Sequence, residues 1–163
     1  MTSKAKTESD LSSVETAKKR ALALLDKRDY SRAELYRKLT EKGCEDVAAE
    51  SALDRLEELG FVDDARYAPI VVRHYAAKGY GRQRVQRELQ RRGIPKALWE
   101  EAMAEMPEQD ETVDRLLRSR LKGAAPDDRA ALKRAADALV RRGYGWEEIN
   151  AAVERYRSEI DDG

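Results

Sequence analysis

Eight cationic side chains fall between residues 73 and 96, and seven of them could share a contact surface: Arg73, Arg82, Arg84, Arg87, Arg91, Arg92 and Lys96. Guanidinium groups engage phosphates and carboxylates through paired N–H bonds, so a cluster of this kind does recognition rather than bond-making chemistry. On a helix starting near Gly81, Val85 and Leu89 set the core direction. A rotation of about 100° per residue then places Arg84, Arg87 and Arg91 within about 60° of one another on a different flank. This stripe reads as a contact surface for an anionic partner. The competing reading is a solvated face paired with neighbouring acids, since acids dominate from Asp46 to Asp64 and again from Glu100 to Asp114, with bases between Arg66 and Lys96.

Other residues that could do chemistry lack the company it requires. Gly79-Tyr80-Gly81 has no third glycine at dinucleotide-binding spacing and no strand before it, and reads as a turn between helices. His74, the only histidine, has no nucleophile in a recognisable arrangement and is expected on a helix surface or in packing. Cys44, the only cysteine, excludes a disulfide framework within the chain and reads as filling a small apolar gap after Gly43. The carboxylates fall on solvated helical faces and nothing pairs two of them in an apolar cleft. No catalytic residue, metal site or cofactor is expected, and the chain reads as a non-enzymatic binding protein.

The elements that position the arginines repeat. In rows offset by 50 residues, Leu39, Leu89 and Leu139 share a column, as do Gly43, Gly93 and Gly143, and Ala52, Ala102 and Ala152; Tyr30 aligns with Tyr80 and Arg32 with Arg82. After each glycine the same helical face follows: Ala49/Ala52/Leu53/Leu56, Trp99/Ala102/Met103/Met106 and Ile149/Ala152/Val153/Tyr156. Each glycine follows a helix ending in Lys42, Arg92 or Arg142, where a left-handed residue lets the chain reverse. Ser31 with Glu34 predicts a capping box, and Pro95 sits as a first-turn residue of the helix after Gly93. A further helix precedes each pair, carrying Ala17/Ala21/Leu24/Leu25, Tyr67/Val71/Val72/Tyr75 and Val113/Leu116/Leu117/Leu121. Tyr30, Tyr80, Trp99 and Trp146 are expected to pack between helices or repeats.

The predicted fold is all-α: three tandem three-helix, helix-turn-helix-like repeats in an elongated, curved array. Residues 1–13 are expected as a disordered tail, 14–62 as the first repeat, 63–109 as the second and 110–163 as the third. Lys+Arg and Asp+Glu both number 32, so net charge favours no partner class. With no long apolar run and a polar beginning, no membrane contact is expected and the expected compartment is the cytoplasm.

One junction is distinctive. Leu59-Gly60-Phe61-Val62-Asp63-Asp64-Ala65-Arg66-Tyr67-Ala68 is followed at fixed spacing by Gly79-Tyr80-Gly81 and by Glu88-Leu89 with Arg92-Gly93-Ile94-Pro95. This resembles the RecX family of bacterial recombination regulators, over about Thr16 to Ile160. The third repeat departs most, with Gly123-Ala124-Ala125-Pro126 where an aromatic turn is expected. The resemblance implies a monomeric protein that binds the RecA recombinase, as monomers and as RecA filaments on single-stranded DNA. It implies lodging in the filament groove and suppressing ATP hydrolysis, strand exchange and repressor-cleavage coactivity, with some direct DNA affinity. The seven cations above are the expected partner-binding residues. The alternative is a helix-turn-helix protein acting on DNA directly, against which zero net charge weighs. A tetratricopeptide-type scaffold is disfavoured because its period is about 34 residues.

Overall fold

The computed structural model describes residues 8–162, all in helices and the turns between them. The helices are α1 (Glu8–Lys27), α2 (Arg32–Glu41), α3 (Asp46–Glu58), α4 (Asp64–Ala77), α5 (Arg82–Arg91), α6 (Trp99–Met103), α7 (Asp110–Leu121), α8 (Arg129–Arg141) and α9 (Trp146–Asp161), with a 3-10 turn over Lys96–Leu98 before α6. No strand occurs among the described residues, as the sequence periodicity predicts. The tail expected over residues 1–13 lies outside the described residues only up to residue 7. From Glu8 onward the chain is already α1. Its buried stripe begins further along, at Ala17 and Ala21, and turns ahead of such a stripe add at little cost once the helix is nucleated.

Starts and stops follow local chemistry. The Ser31 hydroxyl accepts from the Glu34 amide at 3.0 Å while the Glu34 carboxylate accepts from the Ser31 amide at 3.2 Å, completing the capping box that opens α2. Gly43, Gly93 and Gly143 close the middle helices at φ of 92°, 70° and 98°, all in the left-handed region that side chains avoid. Pro95 is the residue before the 3-10 turn rather than a first-turn residue of an α-helix. The fixed ring angle and missing amide favour a tight 3-10 start, which leaves α6 only five residues long.

The chain forms two compact units, Met1–Ala68 with Gln90–Trp99, and Pro69–Leu89 with Glu100–Gly163, so residues of the second repeat belong to both. In the first unit Ala17, Ala21, Tyr30, Leu35, Leu39, Ala49, Ala52, Leu53, Leu56 and Val62 form one buried cluster drawn from α1, α2 and α3 and the turns after them. In the second, Val113, Leu117, Leu121, Leu132, Ala135, Leu139, Tyr144, Ile149, Ala152 and Tyr156 do the same for α7, α8 and α9. Trp99 is half-buried with its indole N–H on the Ile94 carbonyl at 2.9 Å, fitting a packing role. Trp146 does not fit one: as the first residue of α9, ahead of the inward-facing Ile149, it stands 58% exposed.

Candidate functional site

The start of α5 is built by backbone, not by a side-chain cap. In the second unit the Gly81 amide donates to the Arg142 carbonyl at 2.8 Å and the Gln83 amide to the Gly143 carbonyl at 3.1 Å, so the turn ahead of α9 supplies acceptors for the first N–H groups of α5. A Cβ on Gly81 would stand 2.5 Å from Gly143 backbone, and one on Gly143 would stand 2.4 Å from the Arg84 Cβ. Gly79, at φ 84°, presents its carbonyl to the Tyr144 hydroxyl at 2.7 Å and to the Arg142 Nε at 3.2 Å. The Gly79-Tyr80-Gly81 turn is therefore structural, as read from the sequence. The first unit holds an equivalent join 50 residues earlier: the Ser31 hydroxyl donates to the Arg92 carbonyl, and a Cβ on Gly93 would meet that of Ala33 at 2.4 Å.

These joins decide which arginines face outward. Arg84 stands about 40° around α5 from Glu88, and Glu88 is only 3% exposed. The Arg84 guanidinium lies 3.3 Å from that carboxylate and 5.2 Å from the centre of the Tyr80 ring, and its Nε is buried without a hydrogen bond. It neutralises a buried acid. Arg92, in the first unit, is also half-buried and donates to the Tyr67 hydroxyl at 2.5 Å. Burial, then the charge of Glu34, raises the Tyr67 pKa above the usual tyrosine value, and Arg92 opposes that rise. Arg82 and Arg87 in the second unit and Lys96 in the first are exposed and make no ion pair among the described residues. Arg91 is exposed. Arg73 is exposed and pairs with Glu105 at 3.3 Å, a pair open enough to solvent to exchange readily for another anion. The seven expected contact residues thus include two inward-facing members, Arg84 of the stripe and Arg92 beyond it, which periodicity alone cannot separate from the rest.

Arg32 shows what an equivalent arginine does when acids surround it. Its guanidinium lies 3.0, 2.8 and 3.1 Å from Glu50, Asp54 and Glu57, one successive turn of α3 each. Arg82 occupies the same column 50 residues later, where the corresponding positions are Glu100, Ala104 and Pro107, and it makes none of these pairs. Sequence reasoning aligned Arg32 with Arg82 but missed this difference, which a comparison of the acid spacing in the third helices would have exposed. It also missed the roles of the paired acids before α4: Asp63 accepts from the Arg66 amide at 3.1 Å, capping α4, and Asp64 accepts from the Arg32 amide at 2.9 Å, capping α2. His74 is exposed, edge-on to Tyr75. Cys44 is half-buried against the first core, with an Arg20 N–H 3.4 Å from its sulfur. No group of metal-ligating side chains, and no helix long and apolar enough to cross a membrane, occurs among the described residues.

Fold and surface together define an all-α protein of repeated three-helix units, joined through glycine turns and carrying outward arginines. Models of the first, second and third three-helix domains of RecX match residues 17–56, 63–103 and 108–153. The chain is 41% identical over 149 residues to the regulatory protein RecX of Stenotrophomonas maltophilia (strain K279a), covering 91% of this chain and 90% of that one. It is 38% identical to the regulatory protein RecX of Xanthomonas axonopodis pv. citri (strain 306), with the same coverage. The chain belongs to the RecX family and is a regulatory protein of that kind. Its fold matches a crystal structure of RecX from Lactobacillus salivarius with a TM-score of 0.80 at 19% identity, covering 89% of this chain and 97% of that one.

Proposed function

We propose that this protein regulates the RecA recombinase by binding the RecA filament on single-stranded DNA in its helical groove, inhibiting ATP hydrolysis, strand exchange and repressor-cleavage coactivity. It acts in the cytoplasm, as a monomer and without covalent chemistry, and also engages RecA monomers. Its three repeats, 14–62, 63–109 and 110–163, meet a partner that itself repeats, so a second contact follows the first at high effective concentration. Preference for one filament state then shifts the balance of assembly.

Membership of the RecX family supports the reading, and one observation carries the choice of residues. Arg82 lacks the carboxylates that hold its counterpart Arg32, and Arg87, on the same helix, is likewise exposed and unpaired among the described residues. Both are available to an acidic recombinase surface or to phosphates beside it. Arg73, Arg91 and Lys96 are assigned as further contacts, while Arg84 neutralises Glu88 and Arg92 holds the Tyr67 hydroxyl.

Capture of RecA filaments on the immobilised full chain, with and without nucleotide, tests this. The wild-type chain should retain filaments. Arg82→Gln with Arg87→Gln should need roughly tenfold more protein for the same retention, the factor that about 1.4 kcal/mol of lost contact produces. Absence of retention in both nucleotide conditions contradicts the proposal, and equal retention by a folded double variant contradicts the residue assignment.

A further inference from the structure

Trp146 is a large apolar side chain that neither the core nor the proposed arginine contact uses. It is the first residue of α9 and stands 58% exposed. The positions that fasten the start of this helix are already filled. Tyr144, ahead of the cap, and Ile149, the fourth residue of the helix, both belong to the second buried cluster, and the Glu148 carboxylate accepts from the Gly145 amide at 3.4 Å. The same column holds Asp46 in the first repeat and Lys96 in the second, so the shared fold asks for no ring there.

An exposed apolar side chain is by itself ordinary. Trp146 differs in its neighbours, all of them inside the second unit. A Cβ on Gly145, one residue earlier, would stand 3.9 Å from the side-chain nitrogen of Gln83, whose backbone amide donates to the Gly143 carbonyl. The start of α9 therefore runs beside the first turn of α5. With about 3.8 Å between successive Cα atoms, the Trp146 Cα lies within about 10 Å of the Gln83 side-chain amide. Arg87 is one turn beyond Gln83 on the same flank of α5, and Arg82 immediately precedes it. Both arginines are exposed and make no ion pair among the described residues. Glu147, the exposed acid next to Trp146, stands about 100° around α9 from it.

We infer that Trp146 is the apolar anchor of the arginine contact: the indole seats in an apolar pocket of the partner while Arg82 and Arg87 meet carboxylates at its edge. On the recombinase reading above, on which this rests, the occupant is an acidic protein surface. Tryptophan and arginine are the side chains that most often dominate such contacts, because a broad ring fills a pocket and keeps water from the charge pairs around it. The arginines set the sign of the occupant, and the ring sets its apolar content. Tyr80, in the turn before α5, is half-buried, with Arg84 and Arg142 at 5.2 and 4.8 Å from its ring centre. Trp146 is thus a single outward ring, whereas single-stranded nucleic acid is held on successive stacking platforms. A protein partner fits it better than a run of bases does.

The test is capture of RecA filaments on single-stranded DNA by the immobilised full chain. Wild type is compared with Trp146→Ala, Trp146→Phe, Arg82→Gln with Arg87→Gln, and a control pair, Arg55→Gln with Arg118→Gln, whose arginines Glu58 and Glu159 already hold. Trp146→Ala should need roughly 30-fold more protein for the same retention, the loss expected of an interface anchor, and Trp146→Phe no more than about 3-fold more. The control pair should match wild type. The alanine loss should be the same factor at low and high salt, because the ring carries no charge to screen. If Trp146→Ala loses helicity, Trp146→Gln carries the same expectation. Retention by Trp146→Ala equal to wild type, with the α5 arginine pair weakened, overturns the anchor and leaves the recombinase reading standing. No retention by wild type overturns both. Quenching of tryptophan fluorescence by a single-stranded oligonucleotide alone, if lost in Trp146→Phe, reassigns the ring to base stacking and also overturns the anchor.

Discussion

Asp63 and Asp64 are neighbours with different tasks, and the second works under strain from its surroundings. Asp64 accepts from the Arg32 amide at the start of α2. Burial, the largest influence, raises its pKa above the usual carboxylate value, and the Arg32 N–H bond only partly opposes this. A carboxyl with a raised folded-state pKa is held more firmly in its protonated form by the folded chain. Its contribution to stability is therefore greatest below the ordinary carboxylate pKa and declines as pH rises through the folded value. Asp64→Asn keeps the acceptor and removes the buried charge, so it should leave thermal stability at neutral pH within about 0.5 kcal/mol of wild type or raise it. Asp64→Ala loses the cap and should cost about 1 kcal/mol. Thermal unfolding across pH measures both, and the asparagine variant should show a flatter profile in the acid range. At this scale the sequence displayed the capping box of Ser31 and Glu34 completely, because both partners lie within one turn. It hid the task of Asp64, whose partner is 32 residues away, and the inward turn of Arg84, which depends on the burial of Glu88.

At the scale of elements, the glycine column has two physical causes, and only one is visible in a single repeat. Left-handed φ explains all three glycines. Contact explains two: a Cβ at Gly93 would meet Ala33 at 2.4 Å, a Cβ at Gly143 would meet Arg84 at 2.4 Å, and one at Gly43 would meet nothing within 4 Å. No second helix of another repeat lies against Gly43 among the described residues. Gly43→Ala should therefore cost only its backbone strain, about 1–2 kcal/mol. Gly93→Ala and Gly143→Ala should each cost about 1–3 kcal/mol more through overpacking, and denaturant unfolding of the three variants would show the order. Equal losses at all three positions would mean that the close joins do not hold in solution. The 50-residue spacing made the repeat legible because the same core positions recur. The 3-10 turn before α6 was not, since Pro95 is compatible with either helix type until the chain beyond it is packed.

For the whole molecule, the repeats share cores and turns while their surfaces diverge, and regulation is assigned to the divergence. Equivalent arginines are held by three acids in one repeat and by none in the next. That difference was present in the sequence as Glu50, Asp54 and Glu57 against Glu100, Ala104 and Pro107, but it acquired meaning only when the acids were seen to converge. Inhibition of RecA by this RecX-family protein is proposed to run through the outward arginines of α5. Its most direct test is the rate of ATP hydrolysis by RecA filaments on single-stranded DNA, titrated with wild-type chain, with Arg82→Gln/Arg87→Gln, and with Arg55→Gln/Arg118→Gln. Wild type and the control pair should both inhibit, and the midpoint should shift roughly tenfold upward for the α5 pair. An unchanged rate at saturating wild-type protein, or the same midpoint for all three proteins, would contradict that proposal.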